Sequence, residues 1–264
     1  PVELARAMIR FDTSHNGEGG VTMPYVEMLK AKFDAAGART EMVVTPKPDN
    51  AHLIARIRGS GAAPPVLLLC HSDVVSVERD RWSVDPYAAE IRDGWLYGRG
   101  ALDMKGTNAA MASALFRHLA EGAQFDRDII FLSDCDEEVG PYGTRWLAER
   151  HWDKIDAGVV ITEGGWLLTR ADGVTPMLGT ITVQDKSSAS VELVAKGTAT
   201  HSSKPLDDSA IVRLNRALAR LSDYQPPVTI TPIARPYFEA LAAATENPKL
   251  ADAVRLMLNA PDQD

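Results

Sequence analysis

Apolar residues recur at helical spacing in two N-terminal stretches, residues 2–11 and 24–36. In the second, Tyr25, Met28, Leu29 and Phe33 form one stripe, and Gly37 follows as a helix stop. The period then shortens. Residues 39–44 and 52–57 read as strands around the turn-forming run Pro46-Lys47-Pro48-Asp49-Asn50. Three short apolar runs follow, at 66–70, 129–133 and 158–162, of the kind that a sheet covered on both faces requires. Helices are predicted between them, over 107–119 and roughly 144–150. Strands alternating with helices predict an α/β fold, a mixed and largely parallel sheet flanked by helices.

After Thr169 the pattern changes. Residues 178–184 and 190–195 alternate like strands with one solvated face, and residues 209–221 carry Ile211, Leu214, Leu218 and Leu221 on one helical stripe. Asp208 or Ser209 is the expected cap of that helix, and a further amphipathic stretch covers 249–259. The change predicts two domains, residues 1–186 and a smaller α+β domain at 187–264.

The 264 residues suffice for one large or two small domains. Lys and Arg number 28 against 36 Asp and Glu, a net charge of −8 that argues against a nucleic-acid partner. The run at 66–70 is far too short to span a bilayer, so no membrane partner is expected. The chain begins at Pro1 with no basic-then-apolar leader, which gives a cytoplasmic expectation. Cys70 and Cys135 cannot build a disulfide framework and read as packed, reduced thiols.

Candidate chemistry gathers where the strands end. The run at 66–70 leads directly into His71-Ser72-Asp73, the run at 129–133 into Asp134-Cys135-Asp136-Glu137-Glu138, and the run at 158–162 into Glu163. Asp103 lies in the glycine-rich segment just ahead of the 107–119 helix. Ligands of open α/β sheets bind beyond the carboxyl ends of the strands. Carboxylates brought together without a cation repel one another, so a divalent metal is the natural neutraliser. Imidazole and carboxylates without a thiolate cluster suit Zn²⁺, with Co²⁺ or Mn²⁺ as alternatives. Adjacent Glu137 and Glu138 would let one carboxylate ligate while the other acts as a base.

The segments Leu69-Cys70-His71-Ser72-Asp73-Val74-Val75, Tyr97-Gly98-Arg99-Gly100-Ala101-Leu102-Asp103-Met104-Lys105-Gly106, Asp136-Glu137-Glu138 and Thr162-Glu163-Gly164-Gly165 resemble those of the M20 metallopeptidases. That family includes carboxypeptidase G2, aminoacylase-1, carnosinases and succinyl-diaminopimelate desuccinylase. The resemblance implies a pair of zinc ions, with His71 and Glu163 on the first, Glu138 on the second and Asp103 shared. It further implies Glu137 as general base, Asp73 as the residue that orients His71, and a cis peptide after Asp103. Gly197-Thr198-Ala199-Thr200-His201-Ser202-Ser203-Lys204-Pro205 resembles a segment of the family's lid and dimerisation domain. There His201 would stabilise the oxyanion in a homodimer.

The family draws a further His ligand from a segment beyond the lid, and no His follows His201 here, so an incomplete chain is expected. His15, His52, His118 and His151 show no partner pattern and read as structural. The implied activity is hydrolysis of an amide bond in a small peptide or N-acyl amino acid. Glu163-Gly164-Gly165 leans towards the aminoacylase and carboxypeptidase S side of the family. The alternatives are non-peptide amides of succinyl or carbamoyl type, or an inactive binding or dimerisation relative.

Overall fold

The computed structural model describes residues 1–15, 20–184, 190–227 and 229–260. The chain divides into two compact units, Pro1–Glu163 and Gly164–Asp264. The boundary expected at Lys186 lies outside the described residues.

The first unit opens with helices α1 (Val2–Ile9) and α2 (Met23–Ala35) and the strands β1 (Arg39–Val44), β2 (Ala51–Ile57) and β3 (Val66–His71). A short hairpin, β4 (Glu90–Arg92) and β5 (Trp95–Tyr97), precedes α3 (Lys105–Ala120). The unit closes with β6 (Ile129–Asp134), α4 (Thr144–Ile155) and β7 (Val159–Ile161). Its five-stranded sheet has the order β1-β2-β6-β3-β7. β6, β3 and β7 pair parallel, whereas β2 is antiparallel to both β1 and β6. Four of the five strands therefore point the same way.

Two-sided burial accounts for the apolar run of β6, whereas Val159, Val160 and Ile161 of the edge strand β7 are exposed, against the expectation for residues 158–162. Ile129 and Phe131 pack with α1, α2 and α3 in a core that includes Met8, Tyr25, Leu29, Phe33 and Ala109. Ile130 and Leu132, one residue out of phase, pack on the opposite face against Leu147 and Ile155 of α4. Period-2 geometry sends successive side chains to opposite faces, so a sheet buried on both needs apolar residues at every position.

The second unit holds the hairpin β8 (Leu167–Thr169) and β9 (Pro176–Gly179), then α5 (Ala210–Asp223), α6 (Arg235–Ala244) and α7 (Pro248–Asn259). α6 packs against α7 and β9, which assigns the hairpin to this unit. The strand expected over 178–184 is limited to its first two residues, and no strand is assigned over 190–195. Ile181, Val183, Val191 and Val194 are exposed. A strand needs a neighbour to take its hydrogen bonds, and among the described residues neither segment pairs beyond β9. The 209–221 helix is found as α5, with Ser209 at its cap position. The Asp208 carboxylate instead accepts from Thr198 N and Oγ1, at 3.1 and 2.6 Å.

Candidate metal centre

β3, β6 and β7 run parallel, and their carboxyl ends face one edge of the sheet. His71 is the last residue of β3 and is buried. Its Nδ1 lies 2.9 Å from the main-chain carbonyl of Asp73, and its Nε2 lies 2.9 Å from Asp103 Oδ1 and 3.8 Å from Glu163 Oε2. Two sets of donors, His71–Asp103–Glu163 and His71–Glu137–Glu138, each place one ligand atom per residue within 4.8 Å of the others. The five residues come from β3, the approach to α3, the loop after β6 and the end of β7. His201 belongs to the second unit, where it is exposed, and Ser203 N donates to its Nδ1 at 3.2 Å.

Asp73 is fully buried and joins two parts of this edge. The Nδ1 contact of His71 is made by the Asp73 carbonyl, while the nearest carboxylate oxygen stands 3.6 Å away. The carboxylate accepts from Glu137 N at 3.2 Å and Glu138 N at 3.0 Å. One side chain thus fixes the backbone of both glutamates to the strand that carries His71.

The glycine-rich segment brings Asp103 into place. Gly100 has φ +84°, and a Cβ there would stand 2.9 Å from Val74 Cγ1 and 3.0 Å from Lys105 Cδ. A Cβ on Gly106 would meet the Ala101 carbonyl oxygen at 2.2 Å. The Asp103–Met104 peptide is cis. Met104 Sδ accepts from His71 N at 3.2 Å, tying the two ligand-bearing segments together.

Sequence reasoning missed four supporting residues. Lys105 is fully buried, donates to the Phe11 carbonyl at 2.8 Å and lies over the Tyr25 ring. Asn108 donates to the His71 carbonyl at 2.7 Å and to Tyr25 Oη at 3.1 Å. Asp134 accepts from Asp136 N at 2.8 Å and Thr144 Oγ1 at 2.7 Å, and so sets the exit from β6. Met104 is the fourth. The available signal was a pair of polar residues, Lys105 and Asn108, just ahead of the apolar stretch Ala109-Ala110-Met111-Ala112.

The electrostatics are those of a site short of positive charge. Burial opposes protonation of His71, yet hydrogen bonding and charge from Asp73, with Asp103 beside them, push the imidazole up to about 10. Glu138 is raised by burial and then by the charge of Asp103. Glu163 is raised by burial and then by Asp103, Glu137 and Glu138, against the opposing pull of His71. One imidazole faces four carboxylates, so a proton stands where the donor set would better hold divalent cations. Nitrogen and oxygen donors with no thiolate among them match zinc or its neighbours. The residues fit a metal held by His71, Asp103 and Glu163, while a second beside Glu138 is one His short of what the resemblance implies.

The family model for peptidase family M20/M25/M40 matches residues 67–258. The chain belongs to this family. Succinyl-diaminopimelate desuccinylase of Beijerinckia indica subsp. indica is 38% identical over 171 residues, covering 60% of this chain and 42% of that protein. The enzyme of the same name from Parvibaculum lavamentivorans is 35% identical over 225 residues, covering 84% of this chain and 54% of that protein. The chain thus spans about half the length of these M20 relatives. Among solved structures, the M20 metallo-carboxypeptidase Sso-CP2 from Sulfolobus solfataricus superimposes with a TM-score of 0.56 at 23% identity, covering 65% of this chain and 38% of that one. Human carnosine dipeptidase 1 gives 0.54 at 23% identity, over 64% and 39%. These two likenesses show the fold over about two thirds of the chain.

Proposed function

We propose that this chain carries the metal-binding part of an M20 amidohydrolase that cleaves small N-acyl amino acids or peptides. The observation that carries this reading is the convergence of His71, Asp103, Glu137, Glu138 and Glu163 on one sheet edge around a single imidazole. His71 and Glu163 would hold one metal, Glu138 the other, and Asp103 both. Bound there, the metals would polarise the substrate carbonyl and lower the pKa of water.

The protein's own groups supply the rest. Glu137 takes a proton from the attacking water on its free carboxylate and returns it to the leaving amine. Its backbone is pinned by Asp73, so the carboxylate is presented from a fixed point. His201 accepts from Ser203 at Nδ1, which in the neutral ring leaves Nε2–H as a donor for a developing oxyanion. Supply of that donor within a homodimer is part of the proposal, supported by the exposed apolar residues Ile211, Leu218 and Leu221 on α5.

Identity to the two desuccinylases favours N-succinyl amino acids within the N-acyl class. The test is metal analysis of the full-length protein followed by an amide panel with Zn²⁺ or Co²⁺ added. Two metals per chain and turnover of N-acyl or N-succinyl amino acids are expected. A purified protein that binds no metal and turns over no amide would refute the reading in favour of an inactive M20 relative.

A further inference from the structure

We infer that His52, which stands apart from the two donor sets that share His71, is a positioning residue that braces the base of the loop bearing Glu137 and Glu138. The inference rests on the metal-centre reading above and assigns a residue that the family motifs do not include.

His52 lies in β2, next to β6, and is fully buried. Leu53 is paired with Ser133, which brings His52 beside the end of β6, with Nδ1 4.0 Å from Asp134 Oδ1. Its Nε2 lies 3.7 Å from Cys135 Sγ, at the start of the loop. Its Nδ1 makes no hydrogen bond. The ring stacks on Trp146 of α4 with centroids 5.8 Å apart and planes 17° apart, and Tyr142 packs edge-on against the same indole. One imidazole therefore touches the first residue of the loop and the helix that follows, on which Tyr142 of the loop's last turn also packs.

The loop is built to transmit this. Asp136 Oδ2 accepts from Tyr142 N at 3.2 Å and the Asp136 carbonyl accepts from Gly140 N at 2.8 Å, which closes the loop on itself. A Cβ on Gly143 would stand 2.6 Å from the Asp136 carbonyl oxygen, so the two ends approach as closely as backbone allows. Asp73 holds the crown of the loop through Glu137 N and Glu138 N. Asp73 thus fixes the crown and His52 the base. Burial holds the imidazole neutral, pulling it down to about 4. A neutral ring can present Nε2 as the acceptor of the Cys135 S–H. Residues that orient ligands from behind carry 10–100-fold of metal affinity in comparable sites.

The experiment is cobalt(II) titration of the metal-free full chain, read by visible absorption and by calorimetry, for wild type, His52→Leu and Cys135→Ala. Wild type should take up two cobalt ions. Folded His52→Leu should keep one with unchanged affinity and bind the other about 10–100-fold more weakly, with an altered cobalt spectrum. On the best amide substrate its kcat should fall while KM stays the same. Cys135→Ala should move the same way by a smaller factor. A folded His52→Leu protein with two wild-type cobalt affinities and a wild-type spectrum overturns the inference, as does equal weakening of both ions. Should His52→Leu fail to fold, Cys135→Ala decides, and unchanged cobalt binding there overturns it. Wild type that takes up no cobalt refutes the metal-centre reading and this inference with it.

Discussion

Asp73→Asn separates the role of this residue's charge from that of its shape. The carboxylate is fully buried and accepts from Glu137 N and Glu138 N, at 3.2 and 3.0 Å. An amide of the same size keeps one acceptor oxygen and turns an NH₂ group towards the other backbone N–H. One hydrogen bond to a charged group is lost, about 1.5–3 kcal/mol, and one buried N–H is left unpaired, about 1–3 kcal/mol. We expect a loss of about 3 kcal/mol in the metal-free protein. At 2–4 °C per kcal/mol, this lowers Tm by roughly 6–12 °C. Urea unfolding followed by tryptophan fluorescence measures the first quantity, and calorimetric zinc titration should show about 10–100-fold weaker binding. Stability within about 0.5 kcal/mol of wild type, together with unchanged zinc affinity, would refute the idea that this carboxylate carries the glutamate loop.

Glu137→Gln should keep both metals and lower kcat by about 10²–10⁴, whereas loss of metal on elemental analysis would make Glu137 a ligand. Gly106→Ala should destabilise the protein by more than about 2 kcal/mol in chemical denaturation, because its Cβ meets the Ala101 carbonyl oxygen at 2.2 Å; a wild-type midpoint would contradict that contact. His52 has a folded pKa of about 4 against 6.5 for the free side chain. The folded state therefore binds fewer protons, and this contribution to stability is lost as pH falls from 6.5 through 4. Relative to His52→Gln, the metal-free wild type should lose about 3 kcal/mol across that window, and a pH-independent difference in urea midpoints would show the ring to be freely protonated.

The hydrophobic pattern located the sheet because every central strand is covered on both faces. The runs at 66–70 and 129–133 lie within one residue of β3 and β6, since burial of both Phe131 and Leu132 leaves no polar position to blur the edges. The metal-ligand candidates were legible for a related reason, because His71 and Glu163 stand at or just beyond strand ends, where the polypeptide turns. The support behind them was not. Asp73 was expected to orient His71; its carbonyl makes the closer contact, and its carboxylate serves a loop more than 60 residues away. His52 showed no partner pattern because Cys135 is brought near it only by the β2–β6 pairing. The alternating segments at 178–184 and 190–195 misled for the opposite reason. Alternation records a preference for a half-buried strand, and among the described residues most of these have no paired strand to satisfy it.

The most direct test of the account is anomalous diffraction at the zinc edge from crystals of the zinc-loaded full-length protein. Two peaks about 3.5–4 Å apart, with Asp103 reaching both, His71 and Glu163 on one and Glu138 on the other, are the predicted result. A single peak, or zinc bound away from the ends of β3, β6 and β7, would contradict it.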